Sequence, residues 1–166
     1  YFGDTAHVPY GNKSKQNILN YSKTAIQFFE NKDVSLIVIA CNTVSSLALQ
    51  EIKKYTDIPL VDVITPFQSF FQQLLKNVEQ NICVGVIGTS NTIHSRSYNK
   101  LLNKVSSKIQ VYSKACPMFV PIIELGFVHH RISEIVITEY LDELIKQNLN
   151  YLILACTHYP ILKKQI

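Results

Sequence analysis

Two cysteines, Cys41 and Cys156, close two nearly identical phrases that lie far apart in the chain. Leu36-Ile37-Val38-Ile39-Ala40-Cys41-Asn42-Thr43 is echoed by Tyr151-Leu152-Ile153-Leu154-Ala155-Cys156-Thr157-His158. Each is an apolar run of strand length that stops at Ala-Cys and gives way to small polar residues. A free cysteine is commonly a small buried hydrophobe. Here both thiols stand at strand ends, beside polar neighbours and ahead of helix starts, whose dipole lowers a thiol pKa. Ligands gather beyond the carboxyl ends of parallel strands, so the pair is expected to face one cleft as two reactive thiols. Cys83, inside an apolar run, and Cys116, ahead of Pro117, lack that setting and read as structural.

Other residues could serve the same cleft. His158 follows Cys156-Thr157 closely enough to act as its proton partner or as a substrate ligand. Glu124 interrupts the apolar stretch from Phe119 to Leu125. It is either a solvated loop residue or an acid near a cleft. Gly88-Thr89 and Thr92 follow a further strand, where backbone N–H groups and hydroxyls can hold a carboxylate. Pro9-Tyr10-Gly11 reads by itself as a turn. There is neither a G-x-G-x-x-G motif nor a phosphate-binding loop, and the four cysteines have no CxxC spacing. Nucleotide cofactors, a zinc site and a disulfide framework are therefore not expected, and no metal is.

The elements that would position these residues alternate. Ser14 opens a helical pattern through Ile18, Tyr21, Ala25, Phe28 and Phe29; a strand over 36–40 and a helix face at Val44, Leu47, Ala48 and Ile52 follow. A second strand spans 60–64, and Pro66 suits the first turn of a phenylalanine-rich helix. Beyond it the pattern predicts a strand over 82–87, one helix carrying Ile93, Leu101 and Leu102, and a strand over 109–112. A loop from Pro117 to Pro121, a helix from Ile132 to Ile145, a strand over 152–155 and a helix from Pro160 complete it. Strands alternating with helices build βαβ units and parallel sheets, an α/β protein. The repeated phrase divides it into two similar domains, 1–65 and 66–166.

At 166 residues, 47% hydrophobic and 17% charged, the chain is globular. Its net charge of +4 is scattered rather than clustered, so no nucleic-acid or membrane-surface partner is expected. No apolar run approaches bilayer-spanning length, and reduced thiols fit the cytoplasm.

Taken together, Gly3-Asp4-Thr5-Ala6-His7-Val8-Pro9-Tyr10-Gly11, Ala40-Cys41-Asn42-Thr43-Val44-Ser45-Ser46, Gly88-Thr89-Ser90-Asn91-Thr92-Ile93 and Cys156-Thr157-His158-Tyr159-Pro160 resemble the motifs of glutamate racemases, in order and spacing. The resemblance implies two similar α/β domains with parallel sheets flanked by helices and an active site in the interdomain cleft. It implies a cofactor-independent, homodimeric enzyme that interconverts L- and D-glutamate and supplies D-glutamate for peptidoglycan. By motif, Cys41 would deprotonate D-glutamate and Cys156 L-glutamate, with His158 assisting Cys156. Tyr10, Gly11, Asn42, Thr43, Thr157 and His158 match substrate-binding positions; Thr89, Thr92 and Glu124 match positions near the site. Aspartate racemases share the two-thiol plan but usually carry Glu after Cys-Thr, where this chain has His158. A binding protein without catalysis on the same scaffold is the other alternative. The family's opening strand with its Asp-Ser-Gly motif and its C-terminal portion have no counterpart here. The expectation is thus a fragment of a longer protein, inactive when isolated, with apolar surface exposed beside the 36–40 strand.

Overall fold

The computed structural model describes residues 1–166. Ser14 caps the first helix, α1 (Lys15–Glu30), its hydroxyl accepting from the Asn17 amide. Ile18, Ser22 and Ile26, four residues apart, form the buried stripe of α1. Strand β1 (Ile37–Ile39) follows, then two short helices, α2 (Asn42–Leu47) and α3 (Leu49–Ile52), and strand β2 (Leu60–Asp62). The expected single helix after β1 is broken at Ala48, whose φ of −115° departs from helical geometry. β1 and β2 pair in parallel, Ile37 against Leu60 and Ile39 against Asp62. One face of this two-stranded sheet supplies Ile37 to a core with Ile18, Ile26, Val44, Ala48 and Ile52. On the other face Val38 and Val61, partners in the ladder, are 61% and 43% exposed.

Asp62 ends β2 and takes the amides of Ile64 and Thr65 and the Thr65 hydroxyl, which turns the chain into α4 (Pro66–Leu74). The second strand is therefore shorter than the apolar run over 60–64 predicts, because its aspartate is spent on the turn ahead of α4. The second sheet is built from β3 (Ile82–Gly88), β4 (Ile109–Ala115) and β5 (Tyr151–Ala155), all parallel, in the order β4-β3-β5. Between β3 and β4 lie α5 (Ser90–His94) and α6 (Ser97–Val105). The pattern of one helix there fails at Arg96, which adopts φ +56° and splits it. Past β4 the expected loop at Pro117–Pro121 gives way at Phe119 to a helix, α7 (Phe119–Glu124), before α8 (Arg131–Ile145). The helix expected from Pro160 is a 3₁₀ segment, Tyr159–Leu162.

β3 is the central strand, and its alternation separates two cores. Ile82, Val84 and Val86 pack with Phe71, Tyr98, Leu102 and Ile153. Ile87 packs on the far side with Phe119, Leu141, Leu144 and Tyr159. Gly85 lets that side close up, since a Cβ there would lie 2.6 Å from Leu149 Cδ1. No helix is long and apolar enough to cross a membrane.

Candidate active site

Three parallel strands deliver the site residues. β1 runs into Ala40-Cys41, where Cys41 occupies the N-cap of α2 and its carbonyl accepts from the Ser45 amide and hydroxyl at 2.9 and 2.8 Å. β5 runs into Cys156, whose carbonyl accepts from the Tyr159 amide. β3 runs into Thr89, the N-cap of α5, whose hydroxyl accepts from the Thr92 amide. Both thiols line one cavity of about 650 Å³, together with Tyr10, Gly11, Asn42, Thr43, Thr89, Thr157 and His158. Cys83 and Cys116 stay outside it. Away from the thiols the cavity continues as an apolar trough past Ile26, Phe29, Leu36 and Val38.

The two sheet units meet at this cleft through polar contacts. Thr43 and Thr89 hydroxyls lie 3.1 Å apart, and the Tyr98 hydroxyl donates to Asn42 Oδ1 at 2.6 Å. Asn91 Nδ2 donates to the carbonyls of Lys13 and Tyr10 at 2.7 and 3.4 Å. Gly11 sits so close to α5 that a Cβ would fall 2.5 Å from Thr89 Cβ. Thr92, expected at the substrate, does not line the cavity: it is buried behind Thr89, its hydroxyl 3.1 Å from that of Thr89. The sequence pattern cannot separate a threonine that faces a cleft from one that props it one turn later.

Each thiol has its own escort. His158 Nδ1 lies 3.9 Å from Cys156 Sγ, and His158 Nε2 lies 2.6 Å from Glu124 Oε1 at the end of α7. With Nε2–H given to the carboxylate, Nδ1 offers its lone pair to the thiol. This resolves the open reading of Glu124: it is a half-exposed helix-end residue that touches the site through the histidine. On the Cys41 side, the Tyr10 hydroxyl donates to Asp4 Oδ2 at 2.5 Å, and His7 Nδ1 lies 2.7 Å from Asp4 Oδ1. The His7 ring stacks on Tyr21 with centroids 3.9 Å apart. Burial raises the Asp4 carboxyl, but the bonds from Tyr10 and His7 outweigh it and hold the group below the ordinary aspartate range.

The helix-dipole argument for acidic thiols does not prevail. Burial pushes Cys41 up, although the Val44 and Thr43 amides and the Thr43 hydroxyl pull the other way. Burial also pushes Cys156 up to about 11, with the nearby Cys41 adding to the rise and the His158 and Tyr159 amides opposing it. The short helices that follow carry too little dipole to offset the loss of water. No three His, Cys, Asp or Glu side chains gather as a metal-binding group. Sequence reasoning missed Asp62, Asn91 and Tyr98, and left Asp4 without a role. None has a spacing signal, and each matters only through a partner distant in sequence.

Over residues 2–166 the sequence matches the family described as Asp/Glu/Hydantoin racemase. The chain belongs to this racemase family. Among its relatives is the glutamate racemase of Sulfurihydrogenibium sp., 45% identical over the whole chain, which corresponds to 63% of that protein. The glutamate racemase of Persephonella marina is 42% identical over the whole chain and 62% of its own length. A crystal structure of glutamate racemase from Francisella tularensis in complex with D-glutamate superposes with a TM-score of 0.88 at 42% identity. The match covers 100% of this chain and 61% of that one. The chain thus spans less than two thirds of the racemases it matches. The α/β architecture with parallel sheets flanked by helices agrees with that fold.

Proposed function

We propose that the protein of which this chain is part interconverts L- and D-glutamate, with Cys41 and Cys156 as the two acid–base groups. The observation that carries the reading is the convergence of both thiols on one cavity walled by donors suited to carboxylates. Inversion at Cα needs a base on one face and an acid on the other. Both thiols rest protonated near neutral pH, because burial raises them. An amino acid brings an ammonium into the cleft, and its positive charge favours the thiolate. The thiol that acts as base first gives up its proton, Cys156 to His158 Nδ1 and Cys41 to solvent water. Its thiolate then takes the Cα proton from one face, and the opposite thiol gives its own proton to the other. Cys41 serves D-glutamate and Cys156 serves L-glutamate, with His158 as proton partner of Cys156 and Glu124 behind it. Tyr10, Gly11, Asn42, Thr43, Thr89 and Thr157 hold the substrate. The relatives named above are glutamate racemases, which favours glutamate over aspartate.

The same reading takes 1–65 and 66–166 as the two domains and needs no cofactor. It places the protein in the cytoplasm as a homodimer that supplies D-glutamate to the cell wall. The test is circular dichroism of D- and L-glutamate with the full-length protein and no added pyridoxal phosphate. Activity is expected for the wild type and none for Cys41→Ala or Cys156→Ala. Full activity in either variant defeats the two-thiol mechanism, and equal use of aspartate reassigns the substrate.

A further inference from the structure

Asn42 follows Cys41 directly and stands in the cavity wall. Its Oδ1 accepts the 2.6 Å hydrogen bond from Tyr98, a residue of α6 in the other sheet unit. Tyr98 is 3% exposed, with the Phe67 ring packed edge-on at 5.5 Å between centroids. Burial, and after it the negative charge of Asp62, push its phenol above the ordinary tyrosine range, so the hydroxyl keeps its proton. That proton has no acceptor other than Asn42. Flipping the carboxamide would let Nδ2 donate to the phenol oxygen but leave the buried phenol proton without an acceptor, which is costly. A carboxamide has one acceptor end and one donor end. With Oδ1 committed to Tyr98, Nδ2 is the end left over. Nδ2 makes no hydrogen bond inside the protein and is not sealed from the cavity.

The geometry points to Tyr98 as a positioning residue that fixes the Asn42 amide donor-side towards the cleft, where it binds a carboxylate of the amino-acid substrate. The inference rests on the racemase reading and extends it to a residue outside the cavity. It also explains why a tyrosine from the other sheet unit reaches across: the donor faces the cleft only while the two units are in contact. Neighbouring contacts hold the same junction, the Thr43–Thr89 hydroxyl pair and the bond from Ser97 Oγ to the Ser46 carbonyl.

The experiment compares Tyr98→Phe, Asn42→Ala, the double variant and Asn42→Asp in the full-length protein, with KM and kcat for both glutamate enantiomers and thermal unfolding. Tyr98→Phe keeps the ring in the core and is expected to raise KM roughly tenfold, the worth of one hydrogen bond to a charged group, with kcat changed less. In the Asn42→Ala background the same change is expected to leave KM where it was, because its effect passes through the amide. A residue that only supported the fold would lower both backgrounds alike. Asn42→Asp keeps the Tyr98 contact but turns an anionic oxygen to the cleft, and is expected to raise KM beyond Asn42→Ala. This arm stands even where Tyr98→Phe fails to fold. Unchanged KM in Tyr98→Phe, equal losses in both backgrounds, or Asn42→Asp binding as well as wild type would each overturn the role. A wild-type protein inert towards glutamate would instead overturn the racemase reading itself.

Discussion

At the scale of single residues, the two thiols are chemically unlike although the proposed mechanism gives them mirror-related work. Cys156 has an imidazole 3.9 Å away, itself backed by Glu124 at 2.6 Å. Cys41 has the Tyr10–Asp4–His7 group nearby and no imidazole within hydrogen-bond distance of its sulfur. A lopsided site still cannot favour one enantiomer in kcat/KM. L- and D-glutamate are equal in free energy, and in the proposed mechanism the base for one is the acid for the other. Glu124→Gln keeps an acceptor for His158 Nε2 but removes the charge that would offset a protonated ring. It is therefore expected to lower kcat/KM by about tenfold for both enantiomers alike, less than the roughly hundredfold or more lost with an acid–base group itself, because the imidazole stays in place. Stopped assays from each enantiomer measure this. Unchanged rates would reduce Glu124 to a helix-end residue without a part in the reaction.

At the scale of elements, the cleft is lined by residues just past the ends of β1, β3 and β5, and the turn at Pro9-Tyr10-Gly11 presses against Thr89 at the start of α5. Gly11 is chosen by space: a Cβ would meet Thr89 at 2.5 Å, where no side chain fits without displacement. Gly11→Ala is expected to separate the turn from Thr89 and disturb the Thr43–Thr89 pair. The cost in kcat/KM should reach about a hundredfold, as a misplacement near 1 Å does. Activity close to wild type would show that the turn gives way without moving Thr89. Much of this layer was legible in the sequence. The phrases at 36–41 and 151–156 read as parallel strands because both are continuous apolar runs, although Val38 of the first lies exposed, and Ser14 and Pro66 announced their helices. The break at Arg96 was not legible, because nothing in a non-glycine residue signals a positive φ. The helix at Phe119 was hidden by Pro117 and Pro121, which read as loop. Thr92 and Thr89 looked equivalent because cleft-facing and cleft-propping positions differ only in three dimensions. Tyr98 was an ordinary core aromatic until its hydroxyl was seen to end on Asn42.

At the scale of the whole molecule, the two thiols face a cleft between the sheet units in which Cys156 is buried and Cys41 half-buried. Burial raises both, Cys156 to about 11, and this has a consequence for durability. Peroxide attacks the thiolate and not the thiol. With a pKa of about 11, only about one Cys156 in ten thousand is thiolate at pH 7. Because the folded pKa lies above the free value, the protected form persists as pH rises through the range where an exposed cysteine already ionises, and is lost only towards 11. Inactivation by hydrogen peroxide, followed as loss of racemase activity, is expected to accelerate about tenfold per pH unit between 8 and 10, without the plateau near 8.5 of a free thiol. A plateau there would mean that the sulfurs are wetter than this packing makes them. In the proposed mechanism a bound amino acid, whose ammonium favours the thiolate, lowers that shield, so oxidative injury is expected to fall on the working protein and spare the idle one.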